Sequence, residues 1–183
     1  MPGRPCQADP VADDARTVNL TGVVALGLAT DIATAVEAAS GATATEVAAL
    51  TTLANWADGL SIDRLREVTA LSQPGCARLV DRLVAAGSAR RERDVTDRRV
   101  TSVRITAAGR RTVMKARAAR AGVVRTWLAA LSDSDRARFA DLVEVLAGAN
   151  VAGAVEANRR CRLCDPSECA AVDDCPVTDA IPR

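Results

Sequence analysis

The side chains best suited to chemistry are four cysteines near the C-terminus, Cys161, Cys164, Cys169 and Cys175. Their C-x2-C-x4-C-x5-C spacing lies within fifteen residues, while the other two cysteines, Cys6 and Cys76, stand far from them and from each other. Four soft thiolates in so short a span satisfy a tetrahedral zinc ion or an iron–sulfur cluster. The C-x2-C start suits either. The short later spacings and the Cys175-Pro176 ending lean toward a cluster, because closely spaced cysteines wrap one readily. A metal-free thiol or disulfide switch is the third reading. Asp165, Glu168, Asp173 and Asp174 flank the thiols, with only Arg160 and Arg162 close by, so thiolates without a metal would be poorly stabilised. No histidine occurs in the chain, which excludes imidazole catalysis, Cys-His zinc fingers and histidine pH switches.

The second signal is charge. Between Leu60 and Arg125 there are sixteen basic and six acidic side chains, in a chain whose net charge is only +1. A segregated basic segment of this kind is the electrostatic footprint of a polyanion partner, or else an arginine-rich solvated surface. Its densest part, Arg90 to Arg99, contains five arginines and connects two runs that alternate as β-strands, Ser88–Arg93 and Val100–Thr106. No catalytic constellation and no phosphate-cradling glycine loop accompanies these residues, so the chain is not expected to be an enzyme.

Helices must position both signals. Residues 1–16 carry three prolines and little apolar pattern, and are expected to form a flexible arm. From Thr17, Leu20, Val24, Leu28, Ile32 and Val36 recur every four residues up to Ser40-Gly41, giving a helix too apolar to be covered by a small domain alone. A subunit interface would cover it, as would a central position in a monomer. A second helix is expected over Thr43–Trp56 and a third over Leu60–Val68. In the fourth, Ser72–Ala86, Ser72 is the N-cap, Pro74 sits in the first turn and Gly87 closes the C-terminus. Cys76 falls on its apolar side with Val80, Leu83 and Val84, as a small buried hydrophobe. After Thr106 comes a long helix to about Ala130, and Ser132-x-x-Asp135 opens a last helix expected to run to Asn158. No secretory signal or membrane span is apparent, so a cytoplasmic setting is expected, where thiols stay reduced.

The run Leu79-Val80-Asp81-Arg82-Leu83, then Gly87, Arg90-Arg91, Asp97-Arg98-Arg99 and Ile105-Thr106-x-x-Gly109 resembles the MarR family of bacterial transcription regulators. The resemblance covers about Thr17 to Asn158. It implies a mostly α fold with a small β-hairpin wing, a winged helix-turn-helix that dimerises through its N- and C-terminal helices. It divides the chain into an arm (1–16), an N-terminal dimerisation helix (17–42), the DNA-binding domain (43–109), C-terminal dimerisation helices (110–158) and a cysteine-rich metal- or cluster-binding tail (159–183), which most members of the family lack. Ser72–Ala86 becomes the recognition helix and Asp94–Arg99 the wing. Candidate DNA contacts are Ser72, Gln73, Arg78 and Arg82 on the helix and Arg93, Arg98 and Arg99 on the wing, with Asp97 shaping the tip. Such contacts suit phosphates and guanine edges in the major groove and a narrow minor groove. The implied partners are double-stranded DNA, a second copy of the chain and a small-molecule effector, without a membrane. The implied function is a regulator, commonly a repressor, of a pseudo-palindromic operator; the four-cysteine site, which the resemblance does not explain, is expected to sense redox state or iron. The alternatives are a regulator answering to a small organic ligand with a purely structural zinc tail, and, in another class, an iron–sulfur electron-transfer protein.

Overall fold

The structure is a computed structural model that describes residues 10–55, 59–93, 101–149, 151–169 and 175–182, without the side chains of 10–13, 93, 101, 167 and 169. Helix α1 spans Pro10–Ser40 and α2 spans Ala44–Asn55. Residues 10–16 of the arm expected over 1–16 are helical instead: the third proline stands at the first helical position, where its missing N–H breaks no bond. Helix α1 ends on Gly41, whose φ of +69° suits glycine. Thr43 and Glu46 then cap α2 reciprocally: the Thr43 N–H donates to Glu46 Oε2 at 2.9 Å and the Glu46 N–H to Thr43 Oγ1 at 3.3 Å.

The predicted third helix begins later than its apolar pattern implies. Leu60–Ser61 is a short strand, β1, and helix α3 runs Ile62–Thr69, with Ser61 Oγ accepting from the Arg64 N–H. A left-handed Ala70 turns the chain toward α4, Gln73–Ala85, which is capped by Ser72. Strands β2 (Ala89–Arg93) and β3 (Thr101–Ile105) form the hairpin, and β1 joins β3 on the other side. The wing sheet thus has three antiparallel strands in the order β1-β3-β2, with Leu60 opposite Val103 and Arg91 opposite the same residue. Leu50, Leu53, Leu65, Cys76, Leu79, Val80, Leu83, Val103, Ile105 and Val113 make one buried cluster beneath these elements. Burial pushes the Cys76 thiol above its ordinary pKa, which fits its expected role as a small core residue.

Helix α5 (Ala107–Leu128) packs along α1. Trp127 lies over Gly27, where a Cβ would stand 3.0 Å from its ring, and its Nε1 donates to Asp31 Oδ2 at 2.9 Å. The single last helix expected to Asn158 is instead two. Helix α6 (Asp133–Gly148) ends at Gly148, Ala149 is extended, and α7 spans Ala154–Arg160. Short helices α8 (Pro166–Cys169) and α9 (Pro176–Asp179) follow. A Cβ on Gly148 would lie 2.8 Å from the Pro176 carbonyl, so α6 stops where α9 crosses it. The tail therefore folds back against α6 instead of extending from a continuous helix.

None of the side chains of α6 is buried. Leu146 is 64% exposed and Val145 72%, and on α1 Leu26 is 74% exposed. By length and composition alone, Asp14–Ser40 is long and apolar enough to cross a membrane (mean hydropathy 1.5), as core helices of soluble proteins also can be. One side of that helix is nonetheless committed to protein: Val36 is buried with Val47 and Ala116, and Ile32 packs against them.

Candidate nucleic-acid interface and cysteine cleft

Helix α4 is two-sided because its apolar residues recur at helical spacing. Cys76, Leu79, Val80 and Leu83 are buried, while Ser72, Gln73, Arg78, Asp81 and Arg82 are exposed. Ser72 Oγ accepts from the Gly75 N–H at 3.3 Å, leaving its hydroxyl proton to donate outward. Arg78 makes no ion pair among the described residues and is the open cation of this helix.

Arg82 is held back toward the scaffold. Its Nε donates to Glu46 Oε1 at 2.9 Å, tying α4 to the capping box of α2. Burial pushes the Glu46 carboxyl up. The Thr43 N–H, the Arg82 guanidinium and the Thr43 hydroxyl outweigh that effect and leave it below its ordinary pKa. A second tie runs from Arg91 on β2 to Asp81 on α4 at 2.8 Å, fixing the wing to that helix. Arg90 bonds Glu92 at 2.6 Å and Arg104 pairs with the same carboxylate, which stays below its ordinary pKa chiefly through the Arg90 bond. Part of the arginine surplus at the base of the hairpin is thus neutralised within the wing. Arg93 lies on β2 opposite Thr101, its side chain outside the description. Asp97, Arg98 and Arg99 lie outside the described residues, so the proposed wing tip has no geometry here.

The joint between α4 and the wing explains the Thr106-x-x-Gly109 exit. Helix α4 ends with Gly87 at φ +68°, the Gly87 N–H bonding the Val84 carbonyl and the Ser88 N–H that of Leu83, both at 2.9 Å. Thr106 then donates its hydroxyl to the Gly87 carbonyl at 2.7 Å and accepts from the Gly109 N–H at 3.2 Å. A Cβ on Gly109 would come within 2.1 Å of the Ser88 carbonyl, so only glycine lets α5 start there.

The cysteine segment forms a second site. The Cys164 N–H bonds the Cys161 carbonyl at 2.8 Å, closing the C-x2-C turn. Cys161, Cys164 and Cys175 all line one cleft of about 600 Å³, together with apolar Ile32, Val36 and Leu163 and the cations Arg120, Arg160 and Arg162. Cys169 ends α8 with its side chain outside the description. Among the described residues no three His, Cys, Asp or Glu side chains converge as a metal-holding group. Sequence reasoning missed the residues that anchor this segment. Arg117 on α5 bonds the Asn55 side chain and the Cys164 carbonyl, and Asn55 Nδ2 also donates to that carbonyl at 3.0 Å. Neither residue carries a local motif. The capping glutamate Glu46, by contrast, was readable from Thr43-x-x-Glu46.

Residues 40–100 match the family model described as MarR family. No curated protein sequence matches the chain. Among solved structures, the YusO protein from Bacillus subtilis superimposes with a TM-score of 0.65 at 20% identity, over 78% of this chain and 99% of its own. A mutant of MepR from S. aureus, bound to an oligodeoxyribonucleotide, gives 0.58 at 19% identity over 71% and 95%. The PcaV transcriptional regulator from Streptomyces coelicolor gives 0.54 at 26% identity over 70% and 96%. MarR family members are transcription regulators and not enzymes. With its helix-turn-helix of α3 and α4, three-stranded wing and matched segment, the chain has the MarR-type winged helix-turn-helix fold.

Proposed function

We propose that this protein is a cytoplasmic, homodimeric DNA-binding regulator that represses transcription from a pseudo-palindromic operator. The observation that carries this reading is α4: a helix anchored by four buried side chains that leaves Ser72, Gln73 and Arg78 open to a partner, on a fold shared with a protein whose structure is bound to an oligodeoxyribonucleotide. Arg78 supplies a guanine or phosphate contact, Ser72 and Gln73 complete the N-terminal end of the helix, and Arg93, Arg98 and Arg99 belong to the wing. Arg82 serves first as a strut to Glu46 and only secondarily as a DNA contact. The exposed apolar faces of α1 and α6 are covered by the second copy, which sets two recognition helices about one helical turn of DNA apart. Arg78→Ala should weaken binding to a selected duplex by about tenfold and make the salt dependence shallower. Unchanged affinity across a salt titration would remove α4 from the interface.

The same reading assigns Cys161, Cys164, Cys169 and Cys175 to an iron–sulfur cluster or zinc, whose presence reports redox state or iron to the DNA-binding unit. Three of these thiols share one cleft, and their chemistry suits either occupant. The described thiols do not converge, so binding must draw them together with Cys169. The absorbance of anaerobically purified protein distinguishes the two: broad bands near roughly 400 nm mark a thiolate-bound cluster, and a colourless zinc-loaded protein rules it out. A second reading rests on the cleft itself. Its apolar lining, with Arg120, Arg160 and Arg162, suits a small organic anion as effector, with zinc as a structural tie. The third, an iron–sulfur electron carrier, leaves the two-sided recognition helix without a use.

A further inference from the structure

The cysteine segment is fastened to the DNA-binding unit at two points. At the first, Arg117 of α5 donates from Nη2 to the Asn55 side-chain oxygen and, at 3.0 Å, to the Cys164 carbonyl. Its Nη1 lies 3.4 Å from Asp165 Oδ1, and the side chain is only 21% exposed. Asn55 is the last residue of α2 and donates to the same Cys164 carbonyl at 3.0 Å. Helix α2, helix α5 and the tail therefore meet at one backbone oxygen. At the second point, Arg159 of α7 donates from Nε to the Glu67 carbonyl at 3.0 Å. Glu67 is in the last turn of α3, just before the turn that leads to Ser72 and the recognition helix.

The carbonyl at the first point belongs to the second cysteine of the C-x2-C turn, whose side chain lines the cleft. Anything that binds the thiols and sets this turn also sets where the carbonyl stands. A guanidinium offers its donors in a rigid planar fork, so one side chain can hold Asn55, Cys164 and Asp165 together only while all three keep their places. We propose that Arg117 is the positioning residue that transmits the ligation state of the cysteines to the recognition helix. This rests on the cysteine-ligation reading given above. In the geometry described here the thiols stand apart, the turn is closed, and the Arg117 latch ties α2, α5 and the tail together. Ligation, which draws the thiols together, moves the Cys164 carbonyl, releases the latch, and changes the spacing of the recognition helices of the two copies. The two states then differ in DNA affinity, as coupling between two sites requires.

The test uses the full-length protein, wild type and the variants Arg117→Gln and Arg117→Lys, each loaded with zinc(II), or with ferrous iron and sulfide under anaerobic conditions, and each again after chelation. Metal content, oligomeric state and affinity for a duplex selected from a randomised pool by loaded wild-type protein are measured. Wild type should shift its DNA affinity by about tenfold or more on metal removal, a coupling of ordinary size. Both variants should take up the same metal and elute with wild type, yet shift by less than about twofold; lysine keeps the charge but loses the fork. A full shift in Arg117→Gln overturns the proposal. If that variant does not fold, Asn55→Ala, which removes one arm of the latch, should show a clearly reduced shift, and a full one overturns the proposal equally. A wild-type protein that takes up no metal overturns the ligation reading and this inference with it. Metal uptake without any change in DNA affinity overturns the coupling through Arg117 alone.

Discussion

At Gly109 one methyl group decides whether wing and frame can meet. The nearest obstacle to a Cβ there is the Ser88 backbone, which has no rotamer to escape into. Gly109→Ala should therefore destabilise the fold by about 2–3 kcal/mol in chemical denaturation, at the upper end of overpacking costs. Gly87→Ala should cost about 1 kcal/mol, because it meets no obstacle but must adopt a left-handed φ. These two glycines, with Ser72 and Thr106, were legible in the sequence because capping chemistry is local. Glu46 shows the limit of that legibility. Its spacing from Thr43 reveals a cap, whereas its bond to Arg82, thirty-six residues on, depends on how α2 and α4 cross. Since its pKa is lowered on folding, the contribution of the pair is present above the ordinary carboxylate pKa and is lost as pH falls through the folded value. Stability should thus drop between neutral pH and about pH 3, and Glu46→Gln should reduce that drop while costing about 0.2–1 kcal/mol at neutral pH.

Among the elements, those closed by their own caps fell near their expected bounds, and those bounded by a neighbour did not. Helix α4 and the two hairpin strands carry period and punctuation together, so their expected ranges differ from the observed ones by a residue or so. Leu60 and Ser61 fit the apolar pattern of the third helix, yet β3 offers them a strand partner and Ser61 a cap one residue later. Likewise the stripe of Phe139, Leu142 and Leu146 gives no sign that the helix must stop at Gly148, because what stops it is the crossing of α9. Gly148→Ala should push that crossing away. Limited proteolysis should then cut faster in the tail, while the melting temperature of the winged-helix core changes little.

For the whole molecule, the main unsatisfied quantity is apolar surface. Exposed valines and leucines on α1 and α6 each forgo about 1.5–3 kcal/mol that burial would return. The proposed second copy would recover this, one of the two covers that the apolar excess of the first helix left open. Leu146→Asp should give a monomer in analytical ultracentrifugation and lose most DNA affinity, since a single recognition helix cannot span two half-sites. A variant that stays dimeric would relocate the interface.

By itself, the sequence determined the helix-turn-helix, the hairpin, their caps and the presence of a four-cysteine segment. All of these follow from local periodicity, turn chemistry and residue type, which act over a few neighbours. Only the tertiary structure decided which arginines remain open to a partner and where the tail goes. Arg82 and Arg91 are bound to Glu46 and Asp81, whereas Arg78 has no such partner among the described residues. The tail returns to Arg117 and Asn55, at the boundary of the winged-helix unit and the helical frame. An ion pair or a latch forms between residues far apart in the chain, and only the packing of the elements that carry them sets that distance.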